Sequence, residues 1–209
     1  MTLSLALSTQ VSAEPALGSK PIRSLMDLRN EGVVRQHFDL SCGAAAIATI
    51  LTYQLGRPTS EREAALGMLR GGDARLVRAR LGFSLLDLKS FAASRGFEAE
   101  GFANLDLDEL VAMAPVVAPI RVRGFPHFVV LRGRLGDRLL LADPAYGNRI
   151  MTERRFAQAW TSRIGFVVHP PGVLRPPNRM GAPRELFPIA PGEALRAADA
   201  DVRLAGARS

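Results

Sequence analysis

The apolar positions along the chain change their grouping once, after Ala114. Before it they form runs bounded by helix start and stop signals. A helix is predicted from Cys42 to Gln54 or Leu55, with Gly56 just past its end and Pro58 barring continuation. Ser60 and Glu63 have capping-box spacing for a second helix, which Gly71-Gly72 ends. Ser84 and Asp87 open a third, "LLDLKSFAASR", stopped by Gly96. A short strand, "FEAEGF", and a small helix near "LDELVAM" follow. After Ala114 come the short apolar strands "VVAPIRV", "HFVVLR" and "RLLLAD", then "NRIMT", a helix around "ERRFAQAW", and "IGFVVH". Helices first and strands later is the α+β order, with segregated layers.

Both ends depart from this pattern. Residues 1–13 hold a short apolar stretch and then Val11-Ser12-Ala13, which suits small-residue signal cleavage. The basic leading region is missing, so the stretch reads as a truncated signal peptide. That places the protein in the periplasm or outside the cell; a frayed cytoplasmic N-terminus is the alternative. Residues 14–30 read as an irregular lead-in, 31–170 as the domain, and 171–209, rich in Pro and Arg, as a largely disordered tail.

Composition narrows the class. With 47% hydrophobic and 22% charged residues, the 209-residue chain is globular. Its net charge is +7, and of 27 basic residues only Lys20 and Lys89 are lysine. The arginines are scattered without aromatic interleaving, which argues against a nucleic-acid groove. The longest apolar run, "LVAMAPVVAPI", is too short for a membrane span and carries two prolines. One cysteine excludes an intrachain disulfide framework and any multi-cysteine metal site. No cofactor or metal is implied.

That cysteine, Cys42, stands where a polar segment turns into an apolar helix. The positive end of a helix dipole favours the thiolate, the nucleophilic form. Gly43 and Ala44 to Ala46 give the first turn almost no bulk, which also suits plain core packing. A nucleophilic cysteine needs a base, and the chain offers His37, His127 and His169. His37 flanks the turn into the helix. His169 ends a strand ahead of two prolines, as a surface residue would. His127 opens an apparent hairpin around "GRLGD". With Leu135 at the centre, Arg132 faces Arg138 and His127 faces Asp143. A carboxylate there can fix the imidazole tautomer and stabilise the imidazolium; a one-residue bulge would move it off the pair. A structural ion pair at the strand end is the competing reading. Gln36, six residues before Cys42, can curl back as an oxyanion donor beside the Cys42 backbone N–H.

The combination "QHFDLSCGAAA", "HFVVL" and "ADPAYG" resembles the bacteriocin-processing, double-glycine cysteine peptidases, family thirty-nine of the cysteine peptidases, which are papain-like. The resemblance runs from about Val33 to Val168. It implies an N-terminal helical lobe carrying the nucleophile helix, packed on an antiparallel sheet. By position it makes Cys42 the nucleophile, His127 the general base and acid, Asp143 the orienting residue and Gln36 the oxyanion donor. Phe156 and Trp160 match apolar positions of a late helix and belong to the core. In that family aspartate commonly precedes the nucleophile, where this chain has Ser41. The chain contains no Walker motif and resembles the stand-alone members, some of which accompany secretion of surface proteins. The implied activity is an endopeptidase cutting after Gly-Gly or another small residue in a leader or secreted protein, with a peptide substrate and a secretion apparatus as partners. A non-cleaving peptide-binding module and a papain-like acyl transferase or amidase are the competing readings.

Overall fold

A computed structural model describes residues 25–173 and 175–181. The expected signal sequence and the segment beyond residue 181 lie outside the described residues. The helical half comes first: α1 (Leu25–Asn30), α2 (Cys42–Thr49), α3 (Glu61–Gly71), α4 (Ala74–Ala79) and α5 (Leu85–Ser94). Strands β1 (Glu98–Phe102), β2 (Val116–Val122), β3 (Phe125–Leu135), β4 (Arg138–Asp143), β5 (Gly147–Thr152) and β6 (Gly165–His169) follow, with α6 (Leu107–Ala112) and α7 (Glu153–Ala159) between them. They pair antiparallel as one six-stranded sheet in the order β1-β6-β2-β3-β4-β5.

The caps account for most helix starts. Ser84 and Asp87 form a reciprocal capping box, as do Asp106 and Glu109. Ser60 accepts from the Glu63 N–H at 3.1 Å, but the Glu63 carboxylate turns to Arg95 instead of back to Ser60. Two helices escape the apolar pattern. The last turns of the expected lead-in form α1. α4 buries no residue; Asp73, accepting from the Arg75 N–H at 2.7 Å, starts it. α2 runs on into a wide π turn, Ile50–Gln54, before Gly56 ends it at φ +68.

The sheet is covered on both sides. On one, α2, the π turn after it and α5 bury Ile47, Leu51, Leu88 and Phe91 against Val117, Val130, Ala142 and Phe166. On the other, Leu110, Phe156 and Trp160 pack against Val116, Ala118, Val129, Leu131, Leu139 and Leu141. Strand alternation assigns the residues to the two cores. The result is the expected α+β arrangement of a helical lobe on an antiparallel sheet.

The chain does not leave the domain at Pro170, where the composition changes. Met180 is buried in the helical-side core, and its carbonyl accepts from Arg132 Nε at 2.7 Å. Asn178 donates to the Arg132 carbonyl at 2.8 Å, and Gln54 bonds both the Pro177 carbonyl and the Arg179 N–H. A single apolar side chain and carbonyl-directed hydrogen bonds hold this segment, and neither leaves a periodic signal.

The β3–β4 hairpin also differs in register. Its turn is Gly136-Asp137, pairing Leu135 with Arg138, and a bulge at Arg132 then shifts the ladder to Leu131–Leu141 and Val130–Ala142. Continued to the strand end, this sets Asp143 opposite Val129 and not opposite His127. The turn displaces the pairing by three and the bulge returns one. The net shift of two keeps His127 and Asp143 on the same side of the sheet, as diagonal neighbours.

Candidate active site

The segment that leads into Cys42 is pinned to the segment that follows Asp143. Arg35 donates from Nε to the Pro144 carbonyl at 3.1 Å and from Nη2 to the Ala145 carbonyl at 2.5 Å, across 109 and 110 residues of sequence. The Gln36 N–H adds a bond to the Pro144 carbonyl at 2.9 Å. Thr49 in α2 accepts from the Val34 N–H at 3.0 Å and so ties the same segment to the nucleophile helix.

Gly43 sets how closely α2 approaches the sheet. A Cβ there would lie 3.2 Å from both the Leu88 and Phe128 side chains. With none, the helix start settles against the residue next to His127. Cys42, 7% exposed, is brought beside that ring.

His127 Nε2 donates to Asp143 Oδ1 at 2.9 Å. Nδ1 remains for the Cys42 sulfur, which acts on the ring through a hydrogen bond and through its charge. Burial disfavours the charged imidazole. The hydrogen bonds and charges of Asp143 and Cys42 outweigh it and push the His127 pKa up to about 9. Asp143 is fully buried, which alone would raise its pKa. The opposing contacts hold it below the usual carboxylate range: His127, Arg149 Nη1 on Oδ2 at 2.8 Å, and the Ala145 N–H on Oδ1 at 2.9 Å.

Gln36, Cys42 and His127 line one narrow cleft with Leu40, Leu81, Phe125 and Pro126, about 270 Å³ in volume. The Gln36 Oε1 atom is buried without a hydrogen-bond partner among the described residues. The other two histidines lie elsewhere. His37 is three-quarters exposed and bonds Glu61 through Nδ1 at 3.1 Å. His169 is not the surface residue that its sequence position suggests. It is 2% exposed, and Nδ1 donates to the Pro170 carbonyl at 3.1 Å.

The peptidase C39 family matches residues 30–171. The chain is 35% identical to the probable functional amyloid protease FapD of Pseudomonas aeruginosa over 150 residues, covering 71% of this chain and 66% of that protein. It is also 35% identical to FapD of Pseudomonas fluorescens, covering 74% and 69%. The chain belongs to the peptidase C39 family. It is a cysteine peptidase by that membership and by its likeness to these proteases. A solved double glycine motif protease from an AMS/PCAT transporter, in complex with its leader peptide, superposes with a TM-score of 0.55 at 26% identity. That superposition covers 66% of this chain and 90% of the other. The C39 domain therefore accounts for the helical lobe, the sheet and the cleft between them.

Two residues around this C39 site were not legible as part of it. Arg149 reads as an ordinary charged strand residue, yet it bonds the buried oxygen of Asp143 and lies 4.8 Å from the centre of the Tyr146 ring. Glu61 reads as an acid in the first turn of α3, where it suits the helix dipole. It is 4% exposed and accepts hydrogen bonds from the loop before Cys42. The hydrogen bonds from Ser41, His37 and Phe38 outweigh its burial and hold its pKa below the usual value. Glu61 differs from a surface charge by its burial, and Arg149, 29% exposed, by the buried Asp143 oxygen that it meets; neither is visible in sequence. Beside the cleft lies a second hollow of about 530 Å³, with Phe38, Leu66, Leu69, Val77 and Phe83 among its walls and Arg62 and Arg78 also lining it.

Proposed function

We propose that the protein is an endopeptidase that works through a Cys42–His127–Asp143 triad, with Gln36 as oxyanion donor, and cuts after a Gly-Gly or other small-residue site in a leader or secreted protein. The observation that carries the reading is His127 held at 2.9 Å by buried Asp143, with its second nitrogen left for Cys42.

The chemistry follows from this arrangement. The Cys42 sulfur attacks the scissile carbonyl carbon, and the oxyanion is met by the Cys42 backbone N–H and the Gln36 amide. His127 then gives its proton to the leaving amine, and a thioester remains on Cys42. Neutral His127 takes a proton from water, whose oxygen attacks the thioester. The acid product leaves and the thiolate–imidazolium pair is restored. Asp143 keeps the ring oriented and favours its charged form throughout.

A small residue before the cut is what the likeness to a double glycine motif protease supports. Leu40, Leu81, Phe125 and Pro126 line the cleft beside the sulfur, and glycine, without a Cβ, demands the least space there. Glycine is costly to order, so affinity comes from apolar residues upstream at helical spacing, which the adjacent 530 Å³ hollow can take. The relatives' name, functional amyloid protease, supports a secreted protein as substrate, and the leader peptide in the related structure supports an extended recognition segment. A periplasmic or secreted location rests on Val11-Ser12-Ala13, and a secretion apparatus as partner rests on the resemblance to the stand-alone family members.

The test compares wild type and Cys42→Ala on peptides carrying a Gly-Gly pair behind an apolar leader. Wild type should release an acid product with a new C-terminal glycine, and Cys42→Ala none. Binding without cleavage would make the protein a recognition module. An amine adduct in place of the acid would make it an acyl transferase.

A further inference from the structure

Glu61 is a buried carboxylate that the reaction above does not use. It opens α3, whose Arg62, Ala65, Leu66 and Leu69 wall the larger hollow. Its carboxylate faces the other way, onto the five residues that precede the nucleophile. Oε1 accepts from the His37 N–H at 2.8 Å and the Phe38 N–H at 3.1 Å. The Ser41 hydroxyl lies 2.5 Å from the same oxygen and 2.6 Å from the Phe38 carbonyl, with one proton to share between them. Oε2 meets His37 Nδ1 at 3.1 Å. Ser41 makes no side-chain cap to α2 although it stands in the capping position, so its hydroxyl serves this network and not the helix.

The loop so held has a shape that it would not choose unaided. Leu40 sits at φ +64, a left-handed conformation that side chains with a Cβ rarely adopt. Leu40 lines the cleft beside Cys42 and His127, and it also lines the hollow. One residue therefore forms a wall shared by the place of reaction and the place assigned above to the leader. The residue before the nucleophile is uncharged Ser41, and the carboxylate that meets its hydroxyl comes from α3.

We infer that Glu61 is a positioning residue for the peptidase reaction. It holds residues 37–41 in the shape that seats Cys42 at the cleft, and it anchors that loop to the helix walling the hollow. This rests on the peptidase reading above. Its action passes through Ser41 and the loop, so it bears on turnover more than on substrate binding.

The experiment measures kcat and KM of wild type, Glu61→Ala and Glu61→Gln on the leader-bearing peptide, per active site counted by an irreversible thiol-directed inhibitor. Glu61→Ala should lose about 10- to 100-fold in kcat, the usual consequence of misplacing a reacting group by a fraction of an ångström to an ångström. KM should change little. Glu61→Gln should recover most of the loss, because its amide oxygen can still accept from the two backbone N–H groups. A merely structural role would instead reduce the number of titratable sites and leave kcat per site unchanged, and that result would overturn the proposal. So would a Gln variant no better than Ala. Alkylation of Cys42 by iodoacetamide at pH 7 reads the same geometry with no substrate, since it depends on the imidazolium beside the sulfur. It should be slower in Glu61→Ala. If wild type cleaves no peptide, the peptidase reading falls, and an unchanged alkylation rate would separately overturn the role of Glu61.

Discussion

The charge on His127 is the quantity most directly exposed to test, through Asp143→Asn. In the folded protein Asp143 and Cys42, against the effect of burial, push the ring's pKa up to about 9 from 6.5 for a free histidine. That difference corresponds to about 3 kcal/mol in favour of the charged ring. The substituted amide keeps an oxygen for His127 Nε2 and for the Ala145 N–H, but turns its NH2 toward Arg149 and removes the negative charge. Burial then opposes the imidazolium with only Cys42 to offset it, so the ring should titrate near or below 6.5. At pH 8 a ring with a pKa of 9 is roughly nine-tenths charged, and one at 6.5 about 3% charged, a roughly 30-fold difference. At pH 6 both are mostly charged. The kcat/KM profile of wild type should accordingly fall through an alkaline limb near pH 9, and that of Asp143→Asn near 6.5. The mutant defect should widen by roughly 20-fold between pH 6 and 8. Asp143→Ala, which also loses the acceptor, should be worse at every pH. Stability follows the same sign. The folded pKa of His127 is raised, so its contribution is complete below pH 6.5 and is lost as pH rises through about 9. Wild type should lose up to about 3 kcal/mol of unfolding free energy across that window, and Asp143→Asn much less. A mutant defect of the same size at pH 6 and pH 8 would refute the electrostatic argument and leave Asp143 with orientation alone.

Gln36→Ala should lower kcat by roughly 10²- to 10³-fold, the loss typical of one oxyanion donor, with the melting temperature unchanged; unchanged turnover would make the glutamine a bystander. Gly43→Ala places a methyl 3.2 Å from Leu88 and Phe128, and should cost about 1–3 kcal/mol in denaturant unfolding and reduce turnover by lifting Cys42 from His127. Met180→Ala should cost about 2–5 kcal/mol, read from thermal or urea melts, because its side chain is fully buried among Val33, Ile47 and their neighbours; a neutral result would mean that the 175–181 segment does not hold the domain together.

What the chain reveals in sequence depends on how locally each feature is encoded. The nucleophile helix, the capped starts of α3 and α5, the small helix α6 and the strand order after Ala114 are carried by neighbouring residues, and the structure reproduces them. The pairing of Cys42 with His127 was legible because one cysteine and three histidines leave few combinations. The hairpin pairing was not, since a turn displaced to Gly136-Asp137 and a bulge at Arg132 leave no mark in the alternation of "HFVVLRGRLGDRLLLAD". α4 was missed because none of its residues is buried. Met180, His169 and Glu61 were misplaced or overlooked for one reason: each is buried by residues distant in sequence, and burial of a single side chain has no period.

The bulge joins these threads. Without the extra residue at Arg132, the register set by the turn would carry Asp143 opposite Val130, which packs in the helical-side core. The carboxylate would then share a side with Val130 and not with His127. The bulge moves it one place, opposite Val129, and the hydrogen bond to the imidazole becomes available. An unpaired residue in a central strand needs compensation: Asn178 donates to the Arg132 carbonyl at 2.8 Å, and the side chain of Arg132 makes bonds of its own. Buried to 5% exposure, it donates to the carbonyls of Met180 and Glu31 at 2.7 and 3.1 Å and to Asn148 Oδ1 at 2.6 Å. Gly32 turns the chain beside it at φ +69, a conformation that residues with a Cβ rarely adopt. The residue that sets the register of the candidate triad is thus the one that fastens both ends of the domain to the sheet, and the geometry at His127 is as secure as those three hydrogen bonds.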